Sequence, residues 1–105
     1  CRFLVIIPIR IVTNRATIDA AALRISPHII ETPLVESPRL NDRLGIRLLV
    51  KAECLQHTGS FKLRGASNAV WSLDDTITEV VAFSSGNHAQ GVARAAASRG
   101  FQATI

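Results

Sequence analysis

The sequence predicts an α/β fold, in which short apolar strands alternate with helices. Extended apolar segments at residues 46–53 and 80–83 are each followed by a polar turn and a helical segment. From residue 46 onward the order is strand, turn, helix, strand, turn, helix and strand. The 105 residues are 48% hydrophobic and 19% charged, which is typical of a globular rather than a disordered chain.

The first expected elements are a helix and an extended segment. Thr17 is expected to cap a helix with one apolar face, made of Ile18, Ala21, Ala22 and Ile25. Pro27 should end that helix. Residues 32–35 are predicted to be extended, because Thr32 precedes a proline and such residues avoid the α region.

A short helix and a strand should follow. Ser37 before Pro38 is a typical helix start, and Gly45 is a typical helix end. Apolar residues alternate with polar ones over residues 46–53, which predicts a strand.

The second half of the chain repeats a turn and a helix. Residues 56–59 form a predicted turn, and Ser60 is expected to cap a helix that runs to about residue 73. Residues 80–83 are wholly apolar, as in a strand covered on both faces. The turn at 84–86 leads into an alanine-rich helix that Gly100 ends, and another strand begins at residue 101.

Both polar turns follow a strand and precede a helix. Ligands of open α/β sheets bind at this end of the strands. Residues 59–62 and 84–88 are therefore candidates for one shared site.

Lys62 is the first candidate functional residue. It is one of two lysines in a chain with ten arginines, and it falls in the first turn of its predicted helix. A surface lysine is better placed at the other end of a helix. Its small and apolar neighbours suit an amine that attacks a carbonyl carbon. The alternative is an ordinary solvated lysine.

The second candidate is the segment Ser84, Ser85, Gly86, Asn87 and His88. Small residues at a strand-to-helix turn leave amide groups that bind carboxylates or phosphates. The segment is neither a P-loop nor a nucleophile elbow, because both spacings are missing. The alternative is a serine-rich helix cap with no ligand.

These segments together resemble one enzyme family. Residues 53–66 (ECLQHTGSFKLRGA) resemble the lysine signature of the serine/threonine dehydratase group of fold-type II pyridoxal-phosphate enzymes. Residues 84–93 resemble the substrate and cofactor loop of that group, and residues 32–34 and 51–53 also fit its pattern. The resemblance implies a partial tryptophan synthase β-like fold, with incomplete open parallel sheets.

The resemblance implies a role for each candidate residue. Lys62 would bind pyridoxal 5'-phosphate covalently and exchange protons at the substrate Cα. Phe61 would lie near the cofactor ring, and Asn87 would bond to the ring hydroxyl oxygen. Ser85 matches the acid–base position of racemising members. The substrate carboxylate would be held by Ser84, Ser85, Gly86, Asn87 and His88.

The implied activity is the dehydration and deamination of L-threonine or L-serine to a 2-oxo acid and ammonia. Ser85 also fits a serine racemase, so racemisation stays open. A dehydratase of another β-hydroxy amino acid and a non-catalytic remnant stay open too. Threonine synthase and cysteine synthase relatives fit less well, because their lysine motifs differ.

The resemblance also implies a domain division. Residues 16–73 would begin the large domain, residues 76–105 would begin the small one, and residues 1–15 fit neither. The chain has no Met and lacks the downstream glycine-rich phosphate-binding loop of the group. We therefore expect an N-terminal fragment, poorly folded and inactive by itself, of a protein that is a homo-oligomer when whole.

Composition argues against several other classes. The net charge of +4 is scattered and aromatic residues are only 5%, which disfavours a nucleic-acid binder. The apolar run at residues 3–12 is too short for a membrane helix. Cys1 and Cys54 form no disulfide framework, which predicts free thiols in the cytoplasm. His28 and His57 have no partners at metal-ligand spacing, so no metal is expected.

Overall fold

The computed structural model describes residues 13–105, and the expectation for residues 1–12 lies outside that range. Its helices and strands follow the predicted order. They are α1 (Arg15–Ile25), a 3₁₀ helix (Ser26–His28), β1 (Leu34–Glu36), α2 (Pro38–Leu44), β2 (Leu49–Lys51), a second 3₁₀ helix (Glu53–Leu55), α3 (Lys62–Trp71), β3 (Glu79–Val81), α4 (Asn87–Arg99) and β4 (Gln102–Thr104).

The start of α1 differs from the prediction. Asn14, not Thr17, is the cap, and its side chain accepts a hydrogen bond of 3.0 Å from the Thr17 N–H. The Thr17 hydroxyl accepts the Asn14 N–H at 3.0 Å in return, which completes a capping box. Thr17 was chosen wrongly because both residues are good caps and the reciprocal bond requires both.

The start of α3 also differs. Ser60 does not cap this helix, which begins at Lys62 after Phe61 without a side-chain cap and ends at Trp71. The starts of α2 and α4 agree with the prediction. Ser37 caps α2, and both helices end at glycines of positive φ, Gly45 and Gly100.

The strands form two separate pairs. β1 and β2 are antiparallel, with Val35 opposite Val50. β3 and β4 are parallel and connected through α4, which is the expected βαβ arrangement. β2 is shorter than the predicted strand at residues 46–53, because the Leu48 N–H bonds to the Asn41 side chain and Glu53 begins a 3₁₀ helix.

The core lies between α3 and α4. Ala66 and Val70 pack there against Val92 and Ala95, and the partly buried hydrophobic residues against this cluster are Val80, Ala82 and Phe101. Residues 80–83 are not covered on both faces within residues 13–105. Val81 is 75% exposed and Phe83 is fully exposed, so that expectation is wrong for this part of the chain.

Candidate functional site

Lys62 is the first residue of α3, and its side chain is exposed. Its Nζ lies 5.1 Å from the centroid of the Phe61 ring. Phe61 is itself 60% exposed. The other lysine, Lys51, donates its Nζ hydrogen bond to the carbonyl oxygen of Thr32. Among the hydrogen bonds of residues 13–105, Lys62 Nζ has none, so it is the lysine with an available amine.

The loop before Lys62 is held by a buried glutamine. Gln56 is 4% exposed, and its side-chain amide makes two hydrogen bonds to Ile30. The Oε1 atom accepts the Ile30 N–H at 2.8 Å, and Nε2 donates to the Ile30 carbonyl at 2.9 Å. Gly59 follows at φ 68°, a left-handed conformation that favours glycine. The turn at residues 56–59 is therefore as predicted and is fixed to the segment that precedes β1.

An ion pair joins the two sides of the lysine segment. Arg64 donates to Glu53 through Nε at 2.9 Å and through Nη2 at 2.6 Å. The Thr32 hydroxyl donates to the same carboxylate at 2.5 Å. The hydrogen bonds from Arg64 lower the pKa of Glu53 to about 2, and Glu53 raises the pKa of Arg64. Sequence reasoning assigned no role to Glu53 or Arg64, although an acid and a base on either side of Lys62 were visible.

The second segment precedes and begins α4. Gly86, the residue before the helix, has no side chain to cap it, and Ser84 Oγ accepts the Gly86 N–H only at 3.5 Å. Ser85, Asn87 and His88 are exposed. An uncapped helix start leaves N–H donors and partial positive charge for an anion.

Gly91 brings the two segments together. A Cβ atom at Gly91 would lie 3.2 Å from the Lys62 carbonyl oxygen and 3.3 Å from the Leu63 nitrogen. At the other end, the Trp71 indole N–H donates to Ser98 Oγ at 3.4 Å. The two helices therefore run side by side in the same direction, and both N-termini lie at the same end.

This arrangement agrees with a shared site but has a different origin from the predicted one. β2 and β3 belong to different sheets, so no common sheet edge aligns the two segments. The packing of α3 on α4 aligns them instead. Because Gly91 lies level with Lys62, the first turn of α4 extends beside the loop that ends at Phe61.

Other features lie near this site or beside it. The buried hydroxyls of Thr58 and Ser60 have no hydrogen-bond partner within residues 13–105. A cavity of about 140 Å³ lies between the first 3₁₀ helix, α3 and α4, and it is lined by other residues, including His28 and His57. In the same part of the chain no group of His, Cys, Asp or Glu could hold a metal ion. None of the described helices is long and apolar enough to cross a membrane.

Comparisons with known proteins agree on one family. Residues 25–105 match a family model described as pyridoxal-phosphate dependent enzyme. The chain is 45% identical over 91 residues to a serine racemase of Oryza sativa. It is 47% identical over 87 residues to the L-threo-3-hydroxyaspartate ammonia-lyase of Saccharomyces cerevisiae. A solved threonine deaminase, from the organism abbreviated T.th., superimposes with a TM-score of 0.82 at 47% identity.

These matches cover most of this chain and a minor part of each relative. The rice and yeast alignments span 85% and 81% of the chain, and each spans 27% of the relative. The threonine deaminase match covers 89% of this chain and 34% of that protein. The fold class is thereby confirmed as a partial fold-type II arrangement.

The donors of the site fit pyridoxal phosphate. The Lys62 amine, which has no hydrogen bond within residues 13–105, can bond to an aldehyde carbon, and the Phe61 ring beside it offers an aromatic face. The uncapped start of α4 offers N–H donors to an anionic group. The unpartnered hydroxyls of Thr58 and Ser60 lie in the loop that leads to Lys62. Asn87, Ser84, Ser85, Gly86 and His88 are all at the start of α4, although their individual roles stay predictions.

Proposed function

The chain belongs to the family of pyridoxal-phosphate-dependent enzymes, and from this membership we propose that it contributes to the dehydration and deamination of a β-hydroxy amino acid. The membership and the cofactor confirm the resemblance of the two motifs. The substrates are L-threonine or L-serine, and the products are a 2-oxo acid and ammonium. The water lost in the elimination is regained in the hydrolysis that releases ammonium.

One observation carries this proposal, namely the contact between Gly91 and the backbone of Lys62. Through this contact an available amine lies beside an uncapped helix start. An amine that accepts a proton and N–H donors that hold a carboxylate are both needed for removal of the substrate Cα proton.

Each residue has a stated task in this proposal. Bound pyridoxal phosphate supplies the electron sink for the charge that develops at Cα. Lys62 Nζ accepts the Cα proton, and Asn87 donates a hydrogen bond to the ring oxygen of the cofactor. Phe61 packs beside the ring. The N–H groups and side chains of residues 84–88 hold the substrate carboxylate, with help from the partial positive charge of the helix start.

Racemisation is the second candidate function. The 45% identity to a rice serine racemase supports it. In that reaction Ser85 returns the proton to the opposite face of Cα. The yeast and rice relatives thus represent two outcomes of the same proton removal, elimination and reprotonation.

The two outcomes can be separated by product analysis. The protein that carries this chain would be incubated with pyridoxal phosphate and with L-threonine, L-serine or L-threo-3-hydroxyaspartate, and 2-oxo acid and D-serine would be measured. We expect 2-oxo acid as the main product. Lys62→Arg should abolish both products, whereas Lys51→Arg should reduce them only modestly. D-serine as the main product would favour racemisation, and no product from any substrate would support a non-catalytic remnant.

A further inference from the structure

The ion pair between Glu53 and Arg64 closes the ends of the lysine segment onto each other. Glu53 begins the 3₁₀ helix before the loop, and Arg64 lies in α3 just after Lys62. The contact is two-pronged, at 2.9 and 2.6 Å. The Glu53 side chain is only 15% exposed, whereas that of Arg64 is 31% exposed. Such a contact fixes both distance and orientation between its partners.

Thr32 joins this pair to a third part of the chain. Its side chain is buried, at 2% exposure, and its hydroxyl donates to Glu53 at 2.5 Å. Arg64 Nη2 also approaches the Thr32 hydroxyl and the Ile30 carbonyl, at 3.5 Å in both cases. Gln56 bonds to the backbone of Ile30 as well. Residues 30–32 are thus a fixed support for the whole loop.

The start of α3 needs such a support. No side chain caps this helix, and Lys62 Nζ has no hydrogen bond within residues 13–105. The loop from Gln56 to Phe61 contains the left-handed Gly59. The position of Lys62 therefore depends on contacts made by its chain neighbours.

We propose that Glu53, Arg64 and Thr32 are positioning residues that fix the backbone of residues 53–64 and thereby set the place of the Lys62 amine. None of them touches the reacting atoms, and each acts through the loop. The inference rests on the proposed function of Lys62. It predicts that loss of the Glu53 charge impairs the chemical step more than substrate binding, because a small misplacement of a reacting amine costs rate.

The test compares two ion pairs of similar geometry. Glu53→Gln keeps the shape of the side chain and removes its charge. Glu36→Gln is the matched control, because Arg47 grips Glu36 in the same two-pronged way, at 3.0 and 3.0 Å, away from the lysine loop. Arg64→Lys keeps the positive charge but loses the fork. The readouts are kcat, KM, the absorption spectrum of the bound cofactor, and hydrogen exchange of residues 54–62.

Glu53→Gln and Arg64→Lys should lower kcat by about tenfold to a hundredfold, with KM changed by about twofold at most. Both should alter the cofactor spectrum and speed hydrogen exchange in the loop, whereas Glu36→Gln should do neither. Equal effects of the Glu53 and Glu36 variants, or an unchanged spectrum and kcat in Glu53→Gln, would overturn the proposal.

The hydrogen-exchange readout separates this inference from the proposed function. If the parent protein shows no activity, the proposed function fails. Exchange in residues 54–62 then still reports whether Glu53 holds the loop. Unchanged exchange in Glu53→Gln under those conditions would refute the positioning role by itself.

Discussion

At Gly91, a side chain would collide with the backbone of α3. The nearest atoms to a Cβ placed there are the carbonyl oxygen of Lys62 and the nitrogen of Leu63, at 3.2 and 3.3 Å. Backbone atoms yield less readily than the end of a flexible side chain. The absence of a Cβ is therefore what lets the start of α4 reach the lysine.

Gly91→Ala should consequently destabilise the protein. Overpacking typically costs about 1–3 kcal/mol, which exceeds the gain of up to about 1 kcal/mol in helix propensity. Gly65→Ala is the matched control, because Gly65 is also in a helix and has nothing within 4 Å of a Cβ. Urea unfolding should show a lower free energy for Gly91→Ala and an equal or higher one for Gly65→Ala. Equal gains in both variants would show that the close contact does not constrain α4.

The residues of the site were only partly predictable. Lys62 stood out because lysine is rare in this chain and because its neighbours form a motif. Thr32 and Glu53 could not be paired from the sequence, because their hydrogen bond joins positions that are 21 residues apart. Such a contact depends on the β1–β2 pairing, which itself was not predicted.

Among the elements, helix ends were predicted better than helix starts. Glycine identifies an end by a backbone conformation that few other residues adopt, as at Gly45 and Gly100. A helix start has several candidate caps within one turn, and the choice between Asn14 and Thr17 depended on a reciprocal bond. α3 has no side-chain cap at all, so its start could not follow from Ser60.

The ends of α3 and α4 are joined by Arg99. Its guanidinium donates to the carbonyl oxygens of Val70 and Leu73, at 2.5 and 2.9 Å. The guanidinium carbon also lies 4.6 Å from the centroid of the Phe101 ring. Arg99 therefore satisfies carbonyl groups at the end of α3 and covers part of the core.

Arg99→Ala should lower the free energy of unfolding by about 2–3 kcal/mol, because two carbonyl groups lose a charged donor and an aromatic contact is lost. Asp75→Ala is the control. It removes only a fully exposed partner of the same guanidinium, so it should change the unfolding midpoint little. Chemical denaturation of both variants checks this. A loss in Asp75→Ala as large as that in Arg99→Ala would assign the effect to the surface ion pair.

Taken together, residues 13–105 are two strand pairs around one helix pair. The expected domain division between residues 73 and 76 stays a prediction, as do homo-oligomer formation and a cytoplasmic location. The shared core of α3 and α4 spans that division. Tertiary packing of this kind was not visible in local patterns, which is why the origin of the shared site was predicted wrongly.

Stability should depend on pH through Glu53. Its pKa is about 2 in the folded protein against an ordinary 4.5, so its contribution is complete above about pH 4.5 and disappears as the pH falls toward 2. A shift of this size corresponds to a contribution on the order of 2–3 kcal/mol. The unfolding free energies of the parent protein and of Glu53→Gln should differ at pH 6 and converge near about pH 2. A difference that is independent of pH over this range would contradict the assignment.

The proposed chemistry requires Lys62 to be the amine that reacts with the cofactor. Borohydride reduction of the protein with pyridoxal phosphate, followed by peptide mapping of the label, identifies that amine. We expect the label on the peptide containing Lys62 and not on the one containing Lys51, whose amine is bonded to Thr32. Label on Lys51, or equal label on both lysines, would contradict the assignment of Lys62.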